Sequence, residues 1–411
     1  MRPLGEVQAE VLDAMALLPV VEVPLSHALG LVLAEPVTAV HDVPPFANSA
    51  MDGYAVRAED VVDPPLTLRV VEDVPAGSVP TVEVTAGTAI RIMTGAPMPQ
   101  GADAVVKVED TEPGNGAVRV LAGTARGTAV RPAGGDMPSG SMVLEPGTRL
   151  GPAHLGLLAA VGAAFPKVRR RPTVAVLSTG DELVTPETQV LSPGKIRDSN
   201  RLTLCALLEE LGASVDDHGI VGDDAATLDR VLDQAARAAD AVVTSGGVSM
   251  GEYDLVKQEL RKLGTVDFWQ VAMQPAKPFA FGSLLGTPLF GLPGNPVSVF
   301  VAFEQFVRPA LLTMMGARRV FRPRVMAIAA EELTTDPDKT VFVRVTTSPG
   351  ESGLLARRSG GQGSNVLSAL AAADAFAVVP VGVGIVAEGA EVELELFRSP
   401  ESRTREVAIG G

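Results

Sequence analysis

Between residues 173 and 315, short apolar segments alternate with amphipathic helical patterns, and this alternation constrains the fold more than any other feature of the sequence. The segments TVAVL (173–177) and AVVTS (241–245) have the length and β-branched content of buried strands. Residues 225–239 repeat apolar side chains at helical spacing. Such alternation is typical of a largely parallel sheet with helices on both faces. We therefore expect a doubly wound α/β domain over residues 171–318.

The flanking regions are richer in turns and short strands. The chain has 42 glycines and 32 prolines, and runs such as TLRVV and AVVKV are separated by turn sequences such as PAGS and EPGNG. This pattern is typical of mainly β structure. We predict an α/β plus β fold class, in which mainly β subdomains flank the α/β domain. The predicted boundaries are 1–45 and 145–170 for a helical and linker subdomain, 46–144 for a β-rich subdomain, 171–318 for the α/β domain and 319–411 for a C-terminal domain that resembles a β-barrel.

Helices and their ends follow from apolar spacing and capping residues. The predicted helices are 5–18, 152–161, 201–211, 225–239, 253–263 and a long apolar helix that begins at Pro296. Asn200 is predicted to cap the helix 201–211, and Gly212 to end it. The basic segment KVRRRP (167–172) is predicted to be a solvated linker.

The overall charge excludes several classes of partner. The 411-residue chain has a formal net charge of −15, which argues against nucleic acid and against an anionic membrane surface. The N-terminal residues lack the apolar stretch of a secretory signal, and no uninterrupted run of about 18 apolar residues is present. We expect a soluble, cytoplasmic protein. Cys205 is the only cysteine, so no intramolecular disulfide forms, and its apolar neighbours predict a core position.

Three glycine-containing loops follow predicted strands, and in a parallel sheet they would meet at one edge, where ligands bind. They are STGDEL (178–183), TSGGVSMGEYD (244–254) and GLPGNP (291–296). Gly246 and Gly247 would let backbone N–H groups approach a ligand, because no Cβ intervenes. Gly294 precedes a helix whose N-cap would be Asn295, and a helix N-terminus suits a phosphate. Three converging loops favour an anionic-ligand site over three ordinary strand–helix turns.

Other catalytic motifs are absent or incomplete. The sequence has no phosphate-binding G-x-x-x-x-G-K-[ST] motif. Residues 247–251 spell G-x-S-x-G around Ser249, but a hydrolase of that class needs a histidine later in the chain. All four histidines precede Ser249, and their spacing matches no zinc site; they are His27, His41, His154 and His218.

Carboxylates are abundant beside the predicted strand ends. They are Asp181, Glu182, Asp223, Asp224, Glu252 and Asp254. Oxygen ligands of this kind, with a phosphate, suit Mg²⁺. Helix N-capping is the alternative for Asp223 or Asp224, and a favourable first-turn charge is the alternative for Asp254. Lys277 precedes an apolar strand near the same edge; it either pairs with an anion or lies solvated at the strand start.

The sequence resembles the molybdopterin molybdenumtransferase family, which includes the E domain of gephyrin. The resemblance rests on PPFANSAMDGYAVR (44–57), IMTGAPMPQGADAVV (92–106), RPAGGDM (131–137), STGDEL, SGGVSMGEYD (245–254), PGNPVS (293–298) and GGQGSNVLSALAAADAFAVVP (360–380). It implies four subdomains, a molybdopterin-binding α/β domain, and an elongated homodimer with a cleft shared between protomers. It also implies transfer of molybdenum from molybdate to the dithiolene of adenylylated molybdopterin, with release of AMP and a requirement for Mg²⁺.

The resemblance also nominates site residues. In the β subdomain these are Asp52, Thr94 and Asp136, which would reach into the partner's cleft. In the α/β domain the family similarity implies that Glu182, Asp223 and Asp254 act on metal and phosphate. The residues that would cradle the pterin phosphate are Ser245, Gly246, Gly247, Gly294 and Asn295. The candidates for gripping molybdate are Lys277, Arg344 and Ser364.

One stretch departs from the family. The family commonly has K-P-G-K-P, whereas this chain has Gln274, Pro275, Ala276, Lys277 and Pro278. We expect activity to be retained, with Lys277 carrying the remaining charge. The alternatives are a molybdopterin adenylyltransferase, since 173–315 alone resembles that fold, and a non-catalytic scaffold. Further partners implied are a molybdopterin adenylyltransferase and the apo-molybdoenzymes.

Overall fold

A computed structural model describes residues 1–222, 224–246, 264–351 and 353–398 of the chain. Its helices are Leu4–Asp13, Pro152–Ala160, Asn200–Leu211, Ala225–Ala238, Pro296–Ala302, Arg308–Met314 and Leu367–Ala372. The predicted helix 253–263 lies outside the described residues. The predicted helix 5–18 is shorter than expected, since it ends at Asp13, but Val7, Val11 and Leu18 are all buried as their spacing indicates.

The α/β sheet has six strands, and its first four are parallel. In spatial order they are Ser214–Val221, Thr173–Thr179, Ala241–Ser245, Thr287–Leu292, Pro278–Leu284 and Gly264–Gln270. The last two strands are antiparallel to their neighbours. Val174 and Val176 face the core that contains Leu204, while Ala175 and Leu177 face the core that contains Leu228. Both faces are therefore covered by helices, which explains the continuous apolar strands and confirms the predicted α/β class.

The helix Asn200–Leu211 ends as predicted but begins differently. Gly212 adopts a left-handed conformation with φ of +93°, which stops the helix. The N-cap is Ser199, with no side-chain capping bond, and Asn200 is the first helical residue. The prediction that Asn200 caps this helix is therefore wrong, because its side chain is used elsewhere.

The predicted linker 167–172 is wrong for its first half, since only residues 170–172 connect two strands. Lys167–Arg169 is the middle strand of a three-stranded sheet, between Val20–Glu22 and Val32–Leu33. The arginines do not point into solvent as free charges. Arg169 donates to the carbonyl of Leu18 at 2.7 Å, and the Arg170 guanidinium donates to both carboxylate oxygens of Asp240.

The β-rich region between residues 46 and 144 forms a second six-stranded sheet. In spatial order its strands are Ala104–Lys107, Gly53–Val56, Thr88–Ile92, Leu66–Val74, Ala117–Val120 and Thr111–Gly114. The chain enters and leaves this region side by side. Val37–Thr38 pairs antiparallel with Met142–Leu144, and Val43 bridges to Met137. These paired segments, which we call the two-stranded ribbon, join the β-rich sheet to the rest of the molecule.

The C-terminal sheet closes on itself. Its five main strands are Arg324–Ala329, Thr340–Gly350, Gly353–Arg358, Ala375–Val379 and Glu391–Leu396. Thr340–Gly350 pairs with both Gly353–Arg358 and Ala375–Val379, which completes the ring. Met273–Gln274 adds a parallel edge strand to it from outside the C-terminal region. Shorter pairs are Leu333–Thr334 with Ile385–Val386, Asn48–Ser49 with Val130–Arg131, and Leu183–Val184 with Ile196–Arg197.

The predicted long helix from Pro296 is confirmed and runs to Met314. It is apolar and long enough to span a membrane, but 83% of its most apolar window is buried inside the protein. Its middle turn, Phe303–Val307, is a π-helix. This turn carries Glu304 and Gln305, each only 1% exposed. A buried carboxylate in an apolar helix requires internal partners.

Glu304 is paired locally, whereas Gln305 is bonded to residues from both ends of the chain. The Arg322 guanidinium donates twice to the Glu304 carboxylate, at 2.9 Å each. Gln305 donates to Glu395 in the C-terminal sheet at 2.6 Å, and it accepts from Gln8 in the N-terminal helix at 3.1 Å. Burial raises the pKa of Glu395. The long helix is therefore the joint between three parts of the molecule.

The hairpin that joins Pro278–Leu284 to Thr287–Leu292 has an unusual first turn residue. Leu285 has φ of +51° and Gly286 has φ of +93°. This two-residue turn with positive φ at both positions is the kind that Asn-Gly favours. Leu285 is 49% exposed, so its side chain gains little from packing.

We expect Leu285→Asn to stabilise the protein by about 1 kcal/mol, because asparagine tolerates the left-handed region better than leucine. Urea unfolding followed by the fluorescence of Trp269, the only tryptophan, reports on the adjacent strand. Leu285→Ala is the matched control, since it removes the side chain without the asparagine preference. Equal midpoints for Leu285→Asn and wild type would contradict the prediction.

Candidate functional site

The carboxyl ends of the parallel strands enclose a small cavity of about 90 Å³, at the edge where the sequence predicts a site. Four predicted site residues line it, namely Glu182, Ser245, Gly246 and Gly294. They are joined by side chains that were not predicted for the site, among them Thr179, Asp198 and Asn200. Gly247, Asp223 and Asp254 lie outside the described residues, as does the G-x-S-x-G segment 247–251.

Asn200 connects two of the three loops. Its Nδ2 donates to Ser245 Oγ at 2.9 Å and to the Gly294 carbonyl at 2.7 Å. Sequence reasoning assigned this residue to helix capping because asparagine at a helix start usually serves that purpose. The partners lie 45 and 94 residues away in the sequence, so local spacing could not identify them.

Gly246 is required for packing rather than for an open approach to a ligand. Its φ is +92°, and a Cβ there would lie 2.7 Å from the Thr179 carbonyl oxygen. Its N–H donates to the Leu292 carbonyl at 3.1 Å and is therefore already used. The expectation that this N–H faces a ligand does not hold in this arrangement.

Gly294 is different, because a Cβ at this position would meet nothing within 4 Å. Asn295 is the N-cap of the long helix, as predicted, and Pro296 is its first residue. Asn295 Nδ2 donates to Ser364 Oγ at 2.9 Å, and the Val297 N–H donates to the Ser364 carbonyl at 3.1 Å. The structure therefore brings Ser364 of the C-terminal region to the helix N-terminus.

Arg344 holds the loop that carries Ser364. It is fully buried, and its Nη2 donates to the carbonyls of Gly361 at 2.8 Å and Gly363 at 3.2 Å. Among the described residues its Nε has no hydrogen-bond partner. Burial lowers the pKa of this guanidinium. Arg344 thus sits behind Ser364 and is separated from solvent.

Lys277 is exposed and is not part of the cavity wall. Its carbonyl accepts from Val271 N–H at 2.8 Å. The pKa of Asp336 is lowered mainly by a hydrogen bond from Lys339 and, to a lesser extent, by the charge of Lys277. The preceding residue, Ala276, stands where K-P-G-K-P has glycine, and its φ of +71° lies in the region that favours glycine.

The described carboxylates are mostly committed to structural partners. Asp198 accepts from Ser178 Oγ and from Arg201, each at 3.1 Å. Asp224 accepts from Thr227 N–H at 2.9 Å and caps its helix, which confirms the capping alternative for this residue. Glu182 is exposed at the cavity. Within residues 1–222, 224–246, 264–351 and 353–398, no group of three or more His, Cys, Asp or Glu side chains could hold a metal ion.

Cys205 and His154 both make contacts that are structural rather than catalytic. Cys205 is partly buried in the core, and burial raises its pKa to about 11. At neutral pH its thiol is therefore protonated and a poor nucleophile. His154 Nδ1 accepts from Gly151 N–H at 3.0 Å at the start of its helix.

In the β-rich sheet, Asp52 and Thr94 are in direct contact. Asp52 Oδ1 accepts from the backbone N–H and from Oγ1 of Thr94, both at 2.7 Å. These bonds lower the pKa of Asp52, the backbone bond more than the hydroxyl bond. Asp136 is exposed, and its N–H donates to the Val43 carbonyl. None of these three residues lines the cavity of the same chain.

Three family profiles match nearly the whole chain. They are described as "MoeA N-terminal region (domain I and II)" over residues 2–162, "Probable molybdopterin binding domain" over 175–313, and "MoeA C-terminal region (domain IV)" over 326–397.

Curated relatives and a solved structure agree with the profiles. The chain is 40% identical to molybdopterin molybdenumtransferase 2 of Mycobacterium tuberculosis H37Rv over 404 residues, which cover 96% of this chain and 99% of that protein. It is 40% identical to the molybdopterin molybdenumtransferase of Haemophilus influenzae over 376 residues, covering 91% and 93%. The crystal structure of a molybdopterin biosynthesis moeA protein from Pyrococcus horikoshii OT3 superposes with a TM-score of 0.84 at 31% identity, covering 97% and 100%.

We expect Thr94→Val to raise the pKa of Asp52 toward the ordinary aspartate range without reaching it, because the backbone N–H donor remains. The depressed pKa means that this interaction stabilises the fold at neutral pH and is lost as the pH falls through the pKa of Asp52. Carboxyl NMR titration measures the shift. Thr81→Val is the matched control, since Thr81 contacts Glu72 in the same sheet through its hydroxyl and backbone N–H. An unchanged Asp52 pKa in Thr94→Val would contradict the assignment.

Proposed function

The chain belongs to the molybdopterin molybdenumtransferase family and is an enzyme of molybdenum cofactor biosynthesis, and from this premise we propose the reaction that it catalyses. It transfers molybdenum from molybdate to the dithiolene of adenylylated molybdopterin and releases AMP. The observation that carries the proposal is the cavity at the carboxyl edge of the α/β sheet, where Glu182, Ser245 and Gly294 meet. The soft sulfur ligands for molybdenum come from the pterin, so no protein thiolate is needed.

Among the described residues, the loop around Gly294 is the strongest candidate for a phosphate-binding site, which we call the phosphate cradle. It precedes a helix N-terminus, where the dipole favours an anion, and it leaves open space beside Gly294. Ser245 accepts from Asn200, so its own hydroxyl hydrogen remains available as a donor. Ser245 therefore presents a hydroxyl donor to the small volume beside Gly294. This volume suits a phosphate better than a whole pterin.

Mg²⁺ fits the donor chemistry of the site, since Glu182 offers an exposed carboxylate and no soft ligand lines the cavity. Glu182 would hold the ion with Asp223 and Asp254, both outside the described residues. When bound, Mg²⁺ would neutralise charge on the phosphates and on the departing AMP. Glu182 itself would be a carboxylate ligand of the ion at the exposed side of the cavity.

A homodimer would complete the site. Asp52 and Thr94 lie beside strands of the β-rich sheet, Asp136 lies next to the bridge between Val43 and Met137, and none of the three lines the cavity of its own chain. In a dimer they would face the cleft of the partner. The part of the site that binds molybdate would be formed by Lys277, Arg344 and Ser364. Arg344 acts there by holding the Ser364 loop, because its Nη2 is already hydrogen-bonded. We expect the dimer to act in the cytoplasm and to exchange pterin with an adenylyltransferase and apo-molybdoenzymes.

The deciding experiment incubates the purified chain with adenylylated molybdopterin, Mg²⁺ and molybdate, and quantifies AMP. We expect AMP only when molybdate is present. In the same assay, Lys277→Ala should need about tenfold more molybdate for half-maximal release, because one favourable charge is removed. If Lys277→Ala needs the same molybdate concentration as wild type, Lys277 does not bind molybdate. If AMP never forms, but molybdopterin and ATP yield the adenylylated pterin, the chain is an adenylyltransferase.

Gly294→Ala tests the phosphate cradle without a folding problem. The new methyl group meets open space in the protein, so the thermal midpoint should stay close to wild type. If phosphate packs against Gly294, the methyl group should weaken binding of adenylylated molybdopterin by about tenfold. Gly156→Ala is the matched control, because its Cβ also meets nothing within 4 Å and it lies in the helix Pro152–Ala160. Equal affinity for Gly294→Ala and wild type would place the phosphate elsewhere.

A further inference from the structure

The carboxamide of Asn200 is oriented by its surroundings. The carbonyl of Gly294 can only accept a hydrogen bond, so the amide nitrogen of Asn200 must face it. The same nitrogen reaches Ser245 Oγ. Asn200 Oδ1 is buried and has no partner among the described residues. The amide group of Asn200 therefore donates both of its hydrogen bonds to Ser245 and Gly294, and it does not cap its helix.

These two donors act at the carboxyl ends of two neighbouring strands. Ala241–Ser245 and Thr287–Leu292 run parallel, and Gly246 N–H to Leu292 O is a link at their ends. Asn200, in the first turn of the helix Asn200–Leu211, links Ser245 at the end of one strand to Gly294, two residues beyond the end of the other.

The loop that contains Gly294 is also held from its other side. Ser364 accepts from Asn295 Nδ2 and from the Val297 N–H. Those contacts fix the helix start, whereas Asn200 fixes the carbonyl just before it. Among the described residues, the loop would otherwise be held by Ser364 and by the bond from Gly246 N–H to the Leu292 carbonyl, and neither contact reaches the Gly294 carbonyl.

We propose that Asn200 is a positioning residue that sets the separation between Ser245 and Gly294, and thereby the width of the phosphate cradle. The proposal rests on the proposed function for the identity of the ligand. Asn200 orders the loops before the ligand arrives, so the binding step does not have to supply that ordering. Its effect therefore falls on affinity more than on the rate at saturation.

The test compares Asn200→Ala and Asn200→Asp with wild type in binding and turnover of adenylylated molybdopterin. Asn200→Ala should weaken binding about tenfold, with kcat changed by less than about threefold, because two hydrogen bonds are lost. Asn200→Asp keeps the shape, removes both donors and adds a negative charge beside the phosphate, so its affinity should fall further. Glu209→Gln, an exposed change on the same helix, is the control and should match wild type.

Hydrogen exchange in the ligand-free protein separates this proposal from the proposed function. Peptides that cover residues 291–299 should exchange faster in Asn200→Ala than in wild type or Glu209→Gln, whatever the enzyme transfers. Faster exchange with wild-type pterin affinity would overturn the binding role. Unchanged exchange would overturn the positioning role, even if turnover falls. If wild type binds no adenylylated pterin, the proposed function fails, and the exchange result alone decides the role of Asn200.

Discussion

The buried carboxylate of Glu304 is the constraint on which the arrangement of the molecule depends. It lies in the middle of an apolar helix, and a carboxylate there is stable only if it is paired inside the protein. Arg322 supplies the pair through two hydrogen bonds. The next residue, Gln305, joins Glu395 and Gln8. Arg308 Nε also lies 3.8 Å from the Glu304 carboxylate, so two guanidinium groups compensate its charge inside the protein. The π turn therefore fixes where the N-terminal helix and the C-terminal sheet attach.

The candidate site lies at the N-terminal end of the same helix. Hydrogen bonds and short stretches of backbone lead from the interior of the C-terminal sheet to the strand ends of the α/β sheet. The residues are, in order, Arg344, the Gly361–Gly363 carbonyls, Ser364, Asn295, Gly294, Asn200 and Ser245. The hydrogen bonds among them join residues 17 to 94 apart in the sequence. The site is thus built across an interface, and the position of the C-terminal sheet bears directly on its shape.

The sequence predicted the parts of the fold that depend on local periodicity. The strands around Thr173–Thr179 and the stop at Gly212 follow from apolar runs and from a glycine that accepts positive φ. The site loops and the family were predicted from motifs that span the chain. The partners of polar side chains were not, because hydrogen bonds over 94 residues leave no local pattern. Asn200 was therefore assigned to a cap, and the arginines of 167–172 to solvent. The pairing of Glu304 with Arg322 was not predicted for the same reason.

The two-stranded ribbon that carries the β-rich sheet limits how that sheet moves. Val37–Thr38 and Met142–Leu144 run side by side, with the bridge from Val43 to Met137 further out. The extended backbone of this ribbon cannot lengthen, even if the ribbon bends or twists. Asp52 therefore keeps a nearly fixed distance from the base of the ribbon. The positions open to its carboxylate lie on a curved surface rather than throughout a volume.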